Sequence, residues 1–296
     1  MITFGDIGSY GRFGNQLFQY AALRALSLEN NYEVKIPHPK TKEWHGQKCA
    51  LGDLNLECGY LEPEDLLSIQ LGYEEPDYMV YDNNFYNLPD NLNLKGFFQS
   101  TYYFRGHEPQ IKKELIPNQY YMEMGSEKIK EIKRHHPGYE IVSLHLRRGD
   151  NTDHSNPDKS LSTVYGHDGT LQPGSFYHKY LTKALDEFKN TKTKFLIFSG
   201  GSRSDGNSNI SDIEWCKKNF KEDHFLFSEN NSTMVDFSLI VNSDHNIMSH
   251  LSSFGWWAAY LNPRSEKKVV APLRYHSDRP NYTHRPGFYP EGFILK

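Results

Sequence analysis

Residues 139–150 read Tyr139-Glu140-Ile141-Val142-Ser143-Leu144-His145-Leu146-Arg147-Arg148-Gly149-Asp150, a strand-like run that ends in two adjacent arginines and a Gly-Asp turn. In an α/β protein the carboxyl end of such a strand is where ligands, and anions in particular, are held. A guanidinium stays charged at any ordinary pH and offers a rigid fork of donors, so Arg147 and Arg148 can grip phosphate oxygens bidentately. The same pair also fits a strand end salt-bridged to Asp150, an arrangement that needs no ligand.

Working outward, the chain after this run alternates regularly. Helix is expected over 175–189, 211–220, 233–241 and 253–261, and strand over 195–199, 224–228, 245–249 and 268–271. Such β-α alternation predicts a parallel sheet with helices on both faces. Before the run, Met1-Ile2-Thr3-Phe4 reads as a short strand, glycines stand at 5, 8 and 11, and Phe13 to Leu28 carries apolar residues at helical spacing. Further strands are expected at 32–37 and 92–98, and helices at 62–71 and 123–134. The turn His135-His136-Pro137-Gly138 is the candidate boundary, giving domains 1–138 and 139–296. Residues 150–172 read as a long polar loop, and the small, polar stretch 200–209, with no apolar anchor, reads as another.

At 296 residues, two domains are the natural expectation. The balance of 33 basic and 37 acidic residues gives a net charge of −4, which argues against a nucleic-acid binder relying on a basic face. With 20 tyrosines and 18 phenylalanines the chain is rich in aromatics, which suit the apolar faces of sugar rings as well as core packing. Three cysteines (Cys49, Cys58, Cys216) form neither a disulfide framework nor a metal spacing, and none of the 14 histidines sits in a metal-ligand pattern on a helix. Residues 1–20 lack the basic start and apolar core of a signal peptide, and no window approaches the roughly 18 consecutive apolar residues of a membrane span. A soluble cytoplasmic protein is expected, with peripheral membrane association left open.

Two further stretches stand where an anion site would need them. Gly11-Arg12-Phe13-Gly14-Asn15-Gln16 lies at a strand-to-helix turn, where backbone can approach a ligand closely, although the dinucleotide Gly-x-Gly-x-x-Gly spacing is missing. Ser252-Ser253-Phe254-Gly255-Trp256-Trp257 opens another helix, where hydroxyls either cap the helix or join backbone N–H groups around a phosphate. Asp236, on the otherwise apolar helix 233–241, is costly to bury unless partnered, and guanine offers matching donors at N1 and N2. Trp256 and Trp257 read as core anchors.

Taken together, Gly11-Arg12-Phe13-Gly14-Asn15-Gln16-Leu17-Phe18-Gln19-Tyr20-Ala21, His145-Leu146-Arg147-Arg148-Gly149-Asp150 and Ser252-Ser253-Phe254-Gly255-Trp256-Trp257 resemble glycosyltransferase family 11, the α-1,2-fucosyltransferases. The similarity extends to Phe195-Leu196-Ile197-Phe198-Ser199, Asp212-Ile213-Glu214-Trp215 and Asp236-Phe237-Ser238-Leu239-Ile240, in the same order along the chain. The resemblance implies an α/β, GT-B-like fold of two Rossmann-like domains facing a cleft. It also implies GDP-L-fucose as donor, no metal and no separate cofactor, a glycan acceptor, and inversion at the fucosyl C1. By the same analogy Arg147 binds the β-phosphate, with Arg148 and His145 ordering the site. Asp236 reads guanine, Ser252, Ser253 and the Phe254 N–H hold phosphate, and the loop of Arg12, Phe13, Gly14 and Asn15 closes over the donor. The chain departs from the family where Gly200-Gly201 replaces an Asp pair, where Gly255 replaces Ser, and where Asn151 replaces Tyr.

Breaking the sugar C1–O bond builds charge on the departing phosphate, and Arg147 fits the fixed cation that must stabilise it. The attacking hydroxyl must lose a proton. Asp150, Asp153 and His154 lie just past the arginines as candidate bases, but Asp150 serves equally to lock the guanidinium groups, and a donor phosphate oxygen is a further acceptor. The rival readings are a nucleotide-sugar epimerase or dehydrogenase, a transferase using another nucleotide sugar or fucosyl linkage, and a carbohydrate-binding protein without turnover.

Overall fold

A computed structural model describes residues 1–39, 49–148, 176–200, 209–250, 252–273 and 286–296. The loop expected over 150–172, with Asp150, Asp153 and His154, and residues 201–208 of the one expected over 200–209 lie outside the described residues. Contacts divide the chain into two compact units, Met1–Asn118 with Arg285–Glu291, and Gln119–His284 with Gly292–Lys296.

The first unit is built on a parallel sheet of β1 (Ile2–Thr3), β2 (Val34–Ile36), β3 (Gly59–Tyr60), β4 (Leu71–Glu74) and β5 (Leu92–Lys95), in the order β3-β2-β1-β5-β4. Helix α1 (Phe13–Asn30) comes after β1. It is buried on nearly every side, with Leu17, Phe18, Tyr20, Ala21, Leu23 and Leu26 all fully enclosed. It ends where Asn31 takes a left-handed backbone, φ 56°, and returns its N–H to the Ser27 carbonyl. Two short helices, α2 (Pro63–Ser68) and α3 (Glu108–Leu115), complete this unit. Glu114 of α3 is fully buried and partnered, accepting from Arg24 Nε at 2.9 Å, from Gln110 Nε2 at 2.7 Å and from the Tyr20 hydroxyl.

The second unit holds α4 (Gln119–His135), β6 (Glu140–Leu146), α5 (Phe176–Asp186), β7 (Thr193–Ser199), α6 (Asn209–Asn219), β8 (Phe225–Phe227), α7 (Thr233–Asn242), β9 (His245–Ile247), α8 (Ser253–Leu261), β10 (Val269–Ala271) and β11 (Ile294–Leu295). Its six strands are all parallel, ordered β11-β10-β9-β6-β7-β8. β6 sits between β7 and β9, so its apolar residues are covered on both faces, as a central parallel strand requires. Trp256 and Trp257 are fully buried, as core anchors should be.

The division falls one helix before the boundary expected at residue 138. Helix α4 belongs with the second unit because Gly125 lets it press against α7: a Cβ on Gly125 would stand 2.8 Å from the backbone carbon of Ser238. Asn242 Nδ2 adds a bond to the Met122 carbonyl at 3.4 Å. A sequence pattern marks a turn, but only packing assigns the helix before it. The short strands β3, β4 and β11 and helix α3 had no clear sequence signal, being two to four residues long or, for α3, mostly polar. Among the described residues no helix is long and apolar enough to cross a membrane.

Candidate functional site

The carboxyl end of β6 is strapped to both neighbouring strands. Ser199 Oγ, at the end of β7, donates to the Leu146 carbonyl at 2.7 Å. The Arg147 N–H donates to Ser249 Oγ, just past β9, at 3.0 Å. The backbone that carries the two arginines is therefore held where the parallel strands end, the usual ligand position of such sheets.

The arginines then part. Arg148 is 6% exposed, its Nε donates to Asp212 Oδ1 at 3.2 Å, and its guanidinium lies 3.7 Å over the Trp215 ring. Asp212, in the first turn of α6, is completely buried. A charge removed from water in this way needs its partner, so Arg148 and Asp212 fix each other. Arg147 is only half-buried. Of the two cations, Arg148 is the one built into the packing and Arg147 the one nearer solvent.

His145 precedes them on β6, 8% exposed, with Nδ1 at 3.1 Å from Ser252 Oγ. Burial, and secondarily the charge of Arg147, push its pKa down to about 3. The ring is neutral, and Ser252 supplies the proton of the shared bond if Nε2 carries the ring hydrogen. Ser252 is the N-cap of α8 and its Oγ also accepts from the Gly255 N–H at 3.2 Å. With 2% exposure, its hydroxyl is engaged in capping and in holding His145. Ser253 and Phe254 are half-buried at the amino end of the same helix, where backbone N–H groups point outward and negative charge is favoured. Gly255 explains how the histidine comes so close: a Cβ there would meet His145 Nδ1 at 2.6 Å.

Asp236 lies in the first turn of α7, half-buried, and accepts from Ser228 Oγ at 2.7 Å. Asn231 Nδ2 in turn donates to Ser228 Oγ at 2.8 Å. Desolvation raises the Asp236 pKa to about 6, against the lowering effect of Ser228, Asn231 and Lys128. Its carboxylate is thus poised to gain from further donors.

In the other unit, Arg12 is the half-buried N-cap of α1, and Phe13 and Gly14 are buried in its first turn. Asn15 is half-buried; its Nδ2 donates to the Tyr10 carbonyl at 3.3 Å and its Oδ1 accepts from Gln99 Nε2 at 2.9 Å. Asp150 lies outside the described residues. The structure thus gathers His145, Arg147, Arg148, Ser252, Ser253 and Phe254 at the carboxyl end of the second sheet. Sequence reasoning gave no role to Asp212, Trp215, Ser228, Ser249 or Gln99. The one signal available was Asp212-Ile213-Glu214-Trp215, an acid and an aromatic three residues apart at a helix start.

Among the described residues no group of His, Cys, Asp and Glu side chains is gathered to hold a metal ion.

The sequence matches Glycosyl transferase family 11 over residues 2–289. It is 26% identical over 290 residues to an α-1,2-colitosyltransferase of Escherichia coli, covering 88% of this chain and 89% of that one. It is 28% identical to galactoside α-(1,2)-fucosyltransferase 1 of Rattus norvegicus, covering 85% of this chain and 61% of the rat protein, so the chain spans less than two thirds of that relative. A crystal structure of POFUT1 in complex with GDP superposes with a TM-score of 0.51 at 12% identity, covering 91% of this chain and 97% of the other. That likeness speaks to the fold, which is α/β and GT-B-like. With the family match covering residues 2–289 and every motif described above, the chain belongs to glycosyltransferase family 11.

Proposed function

We propose that the protein is an inverting, metal-independent transferase that moves L-fucose from GDP-fucose to a sugar hydroxyl of a glycan, O-2 of a terminal galactose being the leading acceptor. The observation that carries this reading is the division of labour between two adjacent arginines, one buried against Asp212 and Trp215 and one half-buried at the end of β6 beside the amino end of α8. A diphosphate leaving group needs fixed positive charge and outward N–H groups, and this edge offers both.

In this reading Arg147 binds the β-phosphate and stabilises the charge that grows on it as the C1–O bond breaks. Arg148 and neutral His145 hold the strand end, while Ser253 and the Phe254 N–H complete the phosphate cradle. Ser252 supports that cradle as cap of α8 and partner of His145. Asp236 accepts from guanine N1–H and N2–H. Arg12, Phe13, Gly14 and Asn15 are assigned to donor binding in the first unit. The acceptor hydroxyl attacks C1 from the face opposite the leaving diphosphate, forming the new C–O bond as the old one breaks and inverting the anomeric centre. Its proton goes to Asp150, Asp153 or His154, or to a donor phosphate oxygen.

The similarity to a colitosyltransferase supports a second donor, GDP-colitose, whose sugar lacks one hydroxyl of fucose. Thermal shifts with GDP, UDP and NAD, each with and without EDTA, and then GDP release from GDP-fucose and GDP-colitose over a galactoside panel, test the assignment. Selective stabilisation by GDP that survives EDTA, and an α-linked product by NMR, are expected. Stabilisation by NAD or UDP but not GDP would sink the reading.

A further inference from the structure

In the first unit, three adjacent parallel strands, β1, β5 and β4, send their carboxyl ends into loops that carry Tyr10, Phe97 and Tyr78. The three rings meet edge to face. Phe97 is 5.9 Å from Tyr10 at 89° and 5.3 Å from Tyr78 at 75°, and all three are half-buried. Lys95, 5.7 Å from the Tyr10 ring centroid, and Glu74, which bonds Lys95 at 3.2 Å, form a polar edge beside them. Aromatic faces flanked by hydrogen-bonding rim groups match the two surfaces of a pyranose, apolar C–H on the ring and hydroxyls around it.

The cluster is held from beneath by buried polar side chains. Gln99, 2% exposed, accepts the Tyr78 hydroxyl at 2.8 Å and donates to Asn15 at 2.9 Å. Gln19 donates to the Tyr10 carbonyl at 3.2 Å and to the Gly96 carbonyl at 3.1 Å. Glu75 accepts from the N–H groups of Phe97 and Phe98, at 2.8 and 3.0 Å. Phe98 itself is held at φ 52°, a left-handed conformation that a bulky residue adopts only when its surroundings impose it. Strain and buried amides spent on a loop that presents half-buried aromatics point to a surface with a ligand.

We propose that Tyr10, Phe97 and Tyr78 form a saccharide subsite that receives a neutral pyranose ring, with Gln99 as the positioning residue that keeps Tyr78 and Asn15 in place. The subsite deepens the reading of the protein as a transferase with a sugar acceptor and rests on it. It binds sugar by ring contact, whereas the guanine and phosphates of GDP are assigned chiefly to the second unit.

The test is saturation-transfer NMR of the full chain with methyl β-galactoside and with lactose, in the absence of donor. The wild-type protein, Phe97→Ala and Tyr78→Leu are compared, with GDP titration reporting that each variant is folded. Saccharide affinity should fall about tenfold or more in both variants while GDP affinity stays within about twofold. Gln99→Leu and Tyr78→Phe, which each remove the bond that places Tyr78 but leave its ring, should both weaken saccharide binding, though less than the ring variants. Saccharide signals unchanged in both ring variants, or none with the wild-type protein, would overturn the proposal. Because no donor is present, these outcomes are independent of which sugar nucleotide the enzyme uses; a failure of the fucosyl assignment would show only in turnover.

Discussion

His145 Nδ1 and Ser252 Oγ stand 3.1 Å apart, tying the end of the central strand β6 to the cap of helix α8. One short bond thus sets the spacing between the arginine-bearing strand end and the outward N–H groups of a helix. Gly255 makes the approach possible.

Replacing that glycine should therefore be costly out of proportion to its size. In Gly255→Ala the new methyl would meet the buried imidazole at 2.6 Å, so ring or helix must shift. We expect a loss of about 1–3 kcal/mol in urea unfolding, the usual cost of overpacking. GDP affinity by calorimetry should also drop measurably. Wild-type stability together with wild-type affinity would show that the contact is slack.

The two arginines should separate by phenotype. Arg148→Ala strands the fully buried Asp212, and about 3–5 kcal/mol of stability should go with it, read as a large fall in the denaturant midpoint. Arg148→Lys should recover only part, because an ammonium cannot reproduce both the planar stacking on Trp215 and the Nε bond. Arg147→Ala should change the midpoint little yet lower kcat by about 10²–10³. Similar midpoints for the two alanine variants would refute the distinction.

With Asp236 in its proposed role of reading guanine, GDP binding should depend on acidity. Desolvation pushes its carboxyl up to about 6, and guanine donors require the ionised form. Affinity should be constant above that value and weaken as pH falls through it, approaching about tenfold per unit. Asp236→Asn should flatten the profile and erode preference for GDP over UDP. A flat profile in the wild-type chain between about pH 5 and 8 would remove Asp236 from base recognition.

Stability itself should fall on acidification. His145 and His250 are buried neutral, their pKa values pushed down to about 3 by burial, with Arg147 adding to the effect at His145. Unfolding frees both to protonate near their ordinary value of about 6.5, so the stability they confer is complete above that pH and is lost below it. Asp236 and Glu75 act oppositely, since burial raises them to about 6 and about 7, so the folded form binds the extra proton between ordinary values of about 4 and those raised ones. The opposing pairs nearly cancel from about pH 7 to 6, and the loss should emerge below about pH 6, approaching about 1.4 kcal/mol per pH unit, the value for one net proton, near about pH 4. Urea unfolding from about pH 4 to 8 checks this, and a midpoint higher at the acid end than at the alkaline end would reverse the assignment.

The sequence was most legible where local pattern and tertiary role agree. Long apolar strands such as β6 and β7, and helices bounded by Gly and Ser, were marked by period and by turn chemistry, because a strand buried on both faces must be apolar throughout. The turn at 135–138 was equally plain, yet α4 before it packs against α7, well beyond the turn. No residue within α4 announces that Gly125 will lie against Ser238, since that meeting depends on a partner far along the chain.

By itself, the sequence determined the α/β class, the parallel arrangement of the second sheet, the placing of a cationic pair at a strand end, and membership of a glycosyltransferase family, because these rest on residue type, period and ordered motifs. Tertiary structure alone decided which arginine is buried and which half-buried, that Ser252 spends its hydroxyl on His145 and the helix cap, and that Tyr10, Phe97 and Tyr78 converge. Each of those outcomes turns on burial and on partners distant in the chain, and none is written in the local pattern.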